Sequence, residues 1–313
     1  MGKWSTALEA PRDLPLIAWG FSMERFSEAS SVSTTKLISC NDLVFPMLIW
    51  GDSKARPVLL LHGFPQEPFT WSRVAEALAQ DGVYALAPSQ RGYAASARPS
   101  GAAAYTFAQF ADDVVGIADA LGLDKVDLVG FGVGGVQAWM AAARNPARVR
   151  SLTSIRFPHP AAFAHALQSN AEQREKWSRV QQDLGAGNPA EKAAAMLADD
   201  GAGLRRFLMA SGLPEPFLHR YVSRLSEPGA LAGALSWNQA ISLAEFSKVP
   251  AVTVPTLLLW SEGPALGRAA AEASRPYVHA TFTDVLVREG NHFLLESSPA
   301  AVVEPLRRHL RAT

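Results

Sequence analysis

Cysteine and long apolar runs are both scarce in this 313-residue chain. The single cysteine, Cys40, excludes an internal disulfide and a zinc site built from several thiolates. We expect it to be a small buried residue beside a strand, in a reducing, cytoplasmic compartment. No segment is apolar for long enough to span a bilayer, and the chain does not start with the pattern of a secretory signal. The sequence therefore predicts a cytoplasmic protein without a membrane partner.

Net charge is also absent, because 29 lysines and arginines balance 29 aspartates and glutamates. Nucleic-acid-binding surfaces are usually strongly basic, so no nucleic-acid partner is expected. The hydrophobic content of 48% is sufficient for one large domain with an insertion, or for two domains. We expect a monomer or homodimer that binds a small-molecule substrate without a cofactor or a metal ion.

Apolar, β-branched runs that alternate with helical stretches predict an α/β protein. The predicted strands lie near 36–41, 44–50, 57–62, 83–87, 126–130, 149–155, 254–260 and 281–287, and a closing helix is predicted at about 297–311. This alternation implies right-handed crossovers and a largely parallel sheet covered by helices. Between about 160 and 247, segments rich in alanine, leucine and arginine with helical spacing replace the strand pattern.

The same pattern predicts the division of the chain into three parts. Residues 1–34 are expected to form an irregular N-terminal extension. Residues 35–159 and 248–313 are expected to form the core domain, and residues 160–247 a helical cap inserted after the sixth strand.

The most informative motif is the run Gly130-Phe131-Gly132-Val133-Gly134-Gly135, between a predicted strand and a predicted helix. It has the shape of a nucleophile elbow, G-x-nucleophile-x-G, in which flanking glycines allow the strand and the helix to approach closely. Gly132 stands at the nucleophile's place, and glycine accepts the strained backbone of such a turn without a steric penalty. The motif thus predicts an elbow that lacks its nucleophilic side chain.

Further motifs follow one another in a specific order. They are His62-Gly63-Phe64-Pro65, Arg91-Gly92-Tyr93, Phe157-Pro158-His159-Pro160 and Gly290-Asn291-His292-Phe293, followed by Glu296 and Pro299. From about residue 35 to residue 311, this order resembles the epoxide hydrolases and the related haloalkane dehalogenases. The resemblance implies an α/β-hydrolase fold, with a mostly parallel eight-stranded sheet covered by helices and a helical cap after strand six.

In the family that the chain resembles, an aspartate at the elbow attacks the substrate and forms an ester with it. A histidine with an acidic partner then activates the water that cleaves this ester. Gly132 cannot attack, and Phe131 and Val133 replace the family's usual histidine and tryptophan. Three adjacent departures favour natural divergence, although an artificial change of Gly132 alone stays open. Pro264 stands where the family has its acid, and Glu262 is the nearest carboxylate, either as a partner of His292 or as an ordinary surface residue.

His292 keeps the family pattern and is the candidate general acid or base, with a histidine retained only by ancestry as the alternative. By resemblance, the backbone N–H groups of Phe64 and Val133 form an oxyanion hole that does not depend on the missing nucleophile. His62 is expected to be structural and to hold the loop that carries Phe64.

The predicted cap departs from the family as well. Asn238 stands where epoxide hydrolases of this type often have a tyrosine that protonates the epoxide oxygen, and an amide cannot supply that proton. Trp177 and Trp237 are expected either to line the substrate pocket, together with Phe131, or to pack in the core. Tyr221 is a candidate replacement donor.

Three functions are compatible with these residues. The first is an enzyme, with a place in secondary metabolism, that uses His292 for isomerisation, elimination, cyclisation or atypical hydrolysis of a small apolar or polycyclic molecule. The second is a residual epoxide or ester hydrolase in which His292 activates water directly. The third is a ligand-binding protein without catalysis.

Overall fold

The computed structural model describes residues 34–185, 187–263, 266–288 and 291–313. Within them, eight strands form one sheet in the order β1-β2-β4-β3-β5-β6-β7-β8. The strands are β1 Thr34–Cys40, β2 Leu43–Trp50, β3 Arg56–Leu61, β4 Val83–Pro88, β5 Val126–Phe131, β6 Val149–Ile155, β7 Thr256–Trp260 and β8 Phe282–Leu286. The strand β2 is antiparallel to its neighbours β1 and β4, and all other neighbours are parallel. The predicted eight-stranded, mostly parallel sheet is confirmed.

Helices connect the parallel strands and fill the interval between β6 and β7. They are α1 Ser72–Gln80, α2 Phe107–Ala120, α3 Val133–Arg144, α4 Pro160–Ser169, α5 Ala171–Val180, α6 Pro189–Ala210, α7 Glu215–Leu225, α8 Ala230–Gln239, α9 Leu243–Phe246, α10 Arg268–Glu272, α11 Leu294–Ser297 and α12 Ala300–Ala312. Non-helical backbone interrupts α6 at residues 198–201. The helical insertion after strand six is confirmed, whereas the exact domain boundaries stay a prediction. Residues 1–33 of the predicted N-terminal extension lie outside the described residues.

The central strands are apolar in sequence because they are buried in the middle of the sheet. Every residue of β4, β5 and β7 is buried, as expected for parallel strands that have helices on both faces.

Cys40 departs from its expectation, because it ends the edge strand β1 and is only half-buried. In the described part of the chain, no helix is both long and apolar enough to cross a membrane.

The arrangement of the sheet decides where a site can form. The carboxyl ends of β3, β5, β6 and β7 lie side by side, because these strands are parallel neighbours. Ligands of open α/β sheets bind outside these strand ends. The loop after β3, the turn after β5 and the segments after β6 and β7 are therefore brought together at one edge.

Candidate functional site

Gly132 forms the turn between β5 and α3. Its backbone angles are φ 54° and ψ −120°, a conformation that residues with side chains rarely adopt. Its N–H donates a hydrogen bond of 2.8 Å to the carbonyl of Ile155, which ties the turn to the end of β6. A Cβ at this position would meet nothing beyond its chain neighbours closer than the Cα of Gly63, at 4.0 Å. The turn is sharp, and there is space for a Cβ atom.

The neighbouring glycines are required by close contacts between strand and helix. A Cβ at Gly134 would lie 2.3 Å from the carbonyl oxygen of Leu61, and one at Gly130 would lie 2.2 Å from that of Gly134. Both separations are far below van der Waals contact with backbone atoms that cannot move independently. This turn therefore has the close strand-to-helix packing that the motif predicts.

His292 lies in the segment between β8 and α11 and is partly buried. Its Nε2 donates to the carbonyl of Phe64 at 2.6 Å, and the Nε2 of Gln66 donates to the carbonyl of His292 at 3.1 Å. A carbonyl oxygen can only accept, so the neutral ring carries its proton on Nε2 and its lone pair on Nδ1. These two bonds join the histidine to the loop after β3. The ring of Phe131 stands edge-on to the imidazole, with centroids 6.2 Å apart.

The surroundings of His292 favour an uncharged ring. Burial lowers its pKa to about 4, and the positive charge of Arg156 lowers it as well. Arg156 directly follows β6, and its guanidinium donates to the carbonyl of Asn291, the residue before the histidine. At neutral pH, the imidazole can therefore accept a proton or donate its Nε2 hydrogen bond. It is not charged at that pH, so it does not act as an imidazolium acid.

Replacing Arg156 with glutamine is expected to raise the pKa of His292 above about 4, because a nearby positive charge is removed, while burial, the larger cause of the low pKa, remains. NMR titration of the ring C–H signals measures this change. The matched control is Arg268→Gln, at an exposed arginine paired with Glu262 and Glu272. An unchanged His292 titration in the Arg156 variant would show that the two groups do not interact.

Glu262, the candidate acid partner, is not brought to His292. It is exposed and forms an ion pair of 3.6 Å with Arg268, because it follows the end of β7 at the protein surface. This placement agrees with its alternative interpretation as an ordinary surface carboxylate. Pro264 lies outside the described residues. Among the described residues, the charged group that shifts the pKa of His292 is Arg156 and not a carboxylate.

The two predicted oxyanion donors lie at the expected structural positions. Phe64 is buried in the loop after β3, and Val133 is the first residue of α3. The N–H of a first helical residue has no acceptor within its own helix, so that of Val133 is available. Their joint action on a substrate stays a prediction. His62 is fully buried, and burial lowers its pKa to about 3, in agreement with a structural role.

The cap tryptophans pack against protein side chains. Trp237 is completely buried, and its Nε1 donates to the carbonyl of Arg91 at 2.6 Å. Its ring stacks on that of His62 at a centroid distance of 5.5 Å. Trp177 stands edge-on to Phe163 at 5.1 Å. For Trp237 the contacts favour the core-packing alternative.

Tyr221 and Asn238 are both buried in the helical insertion. The hydroxyl of Tyr221 donates to Glu296 Oε1, which also accepts from the hydroxyl of Thr70 at 2.6 Å. Burial and the carboxylate of Glu296 raise the pKa of Tyr221 well above its usual value, so the hydroxyl stays protonated. The structure therefore joins Tyr221 to Glu296 rather than to His292. The side-chain nitrogen of Asn238 has no hydrogen-bond acceptor among the described protein atoms.

A small cavity, of about the size of one water molecule, lies between the loop after β3 and the helical insertion. Neither Gly132 nor His292 lines it, and its lining residues are Pro65, Glu67, Ser89, Tyr93, Tyr221, Arg224, Leu225 and Ala230. Glu67 was not predicted as a functional residue, although it lies only two residues after Pro65, the end of the loop motif. Its carboxylate accepts from Arg224 at 3.1 Å, and burial raises its pKa.

The described residues contain no group of three or more side chains that could hold a metal ion.

Comparison with known proteins agrees with this geometry. The family model for the alpha/beta hydrolase fold matches residues 56–275. Epoxide hydrolase 4 of Mus musculus is 30% identical over 275 residues, which cover 85% of this chain and 76% of that protein. The AB hydrolase superfamily protein YfhM of Bacillus subtilis is 27% identical over 285 residues, or 88% of this chain and 97% of that protein.

Solved structures show the same fold. A structure described among novel epoxide hydrolases from metagenomes of hot environments has a TM-score of 0.75 at 25% identity, covering 89% of this chain and 99% of that one. An epoxide hydrolase from Bacillus megaterium, solved in complex with an inhibitor, has a TM-score of 0.76 at 22% identity, covering 88% of this chain and 100% of that one. At that identity, the second similarity supports the fold alone.

Proposed function

The chain belongs to the epoxide-hydrolase-like α/β-hydrolase family, and we propose that it is an enzyme that works without the covalent step implied for that family. It would act on a small, largely apolar molecule, including polycyclic ones. The reaction would be an isomerisation, elimination, cyclisation or atypical hydrolysis. In this proposal, Gly132 occupies the position of the nucleophile, and His292 transfers a proton.

The observation that carries this proposal is the turn at Gly132. Its backbone has the strained conformation suited to an elbow, but no side chain extends into the space beside it. A covalent ester cannot form there. The space that a nucleophile would occupy is left for a substrate group or a water molecule.

His292 supports proton transfer in a specific protonation state. Because its pKa is about 4, the ring is neutral at working pH and is able to take up a proton. Negative charge that develops on a substrate oxygen would be stabilised by the N–H groups of Phe64 and Val133. The aromatic ring of Phe131, which adjoins the imidazole, favours an apolar substrate.

The Kemp elimination of 5-nitrobenzisoxazole tests the proposal, because this apolar aromatic compound opens when a general base removes one proton and no nucleophile is needed. We expect catalysis that does not change between about pH 5.5 and 8 and falls as the pH approaches 4, where His292 becomes protonated. His292→Gln is expected to lower kcat/KM about 10²-fold, at the lower end of the usual contribution of a general base. The matched control is His219→Gln, at an exposed histidine of α7.

The outcome also separates the alternatives. Equal rates for the His292 and His219 variants, or a rate that rises through pH 6.5, would overturn the proposed role. Multiple turnovers of styrene oxide or p-nitrophenyl acetate that require His292 would establish a residual hydrolase. The third alternative, a ligand-binding protein, is favoured by the hydrogen bond of 2.6 Å from His292 Nε2 to the carbonyl of Phe64, because this bond occupies the N–H group of the ring. It would be established if ligands bind equally well to the His292→Gln variant and no substrate is converted.

A further inference from the structure

Arg156 is fixed at the junction of the candidate site. Its backbone N–H donates to the carbonyl of Leu259 at 2.7 Å, which holds it between the ends of β6 and β7. Its φ of 61° is in the left-handed region, which is unusual for a residue with a long side chain. Its Nη1 donates to the carbonyl of Asn291, and its Nη2 lies so near Gly263 that a Cβ there would be 2.8 Å away. The guanidinium is therefore held beside His292 by backbone contacts.

Some of the other buried or half-buried arginines of the described chain have carboxylate partners, whereas Arg98 donates to three backbone carbonyls. Arg91 pairs with Asp113 at 2.7 Å, and Arg56 pairs with Asp127 at 2.6 Å. Arg156 differs from Arg91 and Arg56, because no carboxylate of a described residue forms an ion pair with it. Burial alone lowers the pKa of Arg156, and no described anion acts against that effect. The site thus contains a half-buried positive charge that no carboxylate of the described residues pairs with.

We propose that Arg156 binds a negatively charged group, most simply a carboxylate, on the substrate or product of this site. A buried charge is unfavourable without a counter-ion, and a guanidinium is suited to bind a carboxylate through two parallel hydrogen bonds. Only Nη1 has an acceptor among the described residues, so the Nε and Nη2 groups are available.

This charge also accounts for the composition of the site. Gly132 is adjacent to the end of β6, because its N–H donates to the carbonyl of Ile155, the residue before Arg156. An aspartate at position 132 and an acid beside His292 would both repel an anionic substrate. Glycine at position 132 and an arginine near His292 remove that repulsion. The inference rests on the proposed function, since it takes the surroundings of Gly132 and His292 as the active site.

Binding of 1-naphthylacetate and of its neutral amide, 1-naphthylacetamide, to the full-length protein tests the inference. The two probes share their apolar body and differ in charge, and isothermal titration calorimetry measures both affinities. We expect the carboxylate to bind at least about tenfold more tightly than the amide, a typical effect of one charge-assisted contact. We expect Arg156→Gln to abolish this preference, and Arg268→Gln, at an exposed arginine, to retain it.

A second measurement uses the unmodified protein and locates the bound anion. Saturating 1-naphthylacetate is expected to raise the pKa of His292, followed by NMR, whereas the amide leaves it near its initial value. Equal affinities of the two probes, or a carboxylate preference that persists in Arg156→Gln, would overturn the inference. His292→Gln separates this inference from the proposed function, because that variant is expected to lose proton transfer and still prefer the carboxylate.

Discussion

Replacing Asp113 with alanine is expected to lower the free energy of unfolding by about 3 to 5 kcal/mol. Asp113 lies on α2, and its carboxylate accepts from Arg91 Nε at 2.7 Å and Nη2 at 2.8 Å. The two residues are only 5% and 7% exposed. Without Asp113, the guanidinium would remain buried with no compensating charge. Denaturant unfolding followed by circular dichroism measures the difference.

A double variant controls for the loss of packing. Arg91→Met combined with Asp113→Leu removes both charges, and we expect it to be less destabilised than Asp113→Ala alone. Arg91 also accepts the Nε1 hydrogen bond of Trp237 through its carbonyl. We therefore expect faster hydrogen exchange in α8 of the Asp113→Ala protein. A loss below about 1 kcal/mol, as for an exposed pair, would show that Arg91 is rehydrated in the folded state.

The strands and the helical insertion could be predicted because their signals are local. Apolar and β-branched residues along β5, followed by a glycine-rich turn, determine that segment without reference to distant residues. The same holds for the approach of α3 to the sheet, since Gly134 is needed wherever a helix packs so closely on a strand. The family resemblance put His292 and the backbone of Phe64 in one candidate site, and in the structure the two residues are joined by a hydrogen bond.

The partners of the site residues could not be predicted in this way. Trp237 packs on His62, and Tyr221 bonds to Glu296, through contacts between segments that are far apart in the sequence. Sequence position suggested Glu262 as a partner for His292, but its side chain is exposed at the end of β7. The positive charge of Arg156 near His292 follows from the pairing of β6 with β7, which no local pattern encodes.

Gly132→Asp is expected to fold but not to become an epoxide hydrolase. The position has room for a Cβ, and an aspartate at the start of α3 interacts favourably with the helix dipole. The positive φ is expected to cost about 1 to 3 kcal/mol of stability. A carboxylate at this position could attack an epoxide such as styrene oxide, and mass spectrometry would detect the ester by its added mass.

The ester is expected to form slowly, because the proton donor to the epoxide oxygen is replaced, and to persist, because the family's acid position is taken by Pro264. Asn238 cannot supply a proton to the epoxide oxygen. In the family that the chain resembles, hydrolysis of the ester requires a histidine with an acidic partner, and Glu262, the candidate for that role, is paired with Arg268 instead. We therefore expect at most one equivalent of ester and no continued diol formation, measured by chromatography. Gly132→Ala, which adds a Cβ without a nucleophile, is the control for backbone strain. Multiple turnovers by Gly132→Asp alone would instead mean that the remaining site is still a complete epoxide hydrolase, and that glycine at position 132 is an isolated change rather than part of a natural divergence.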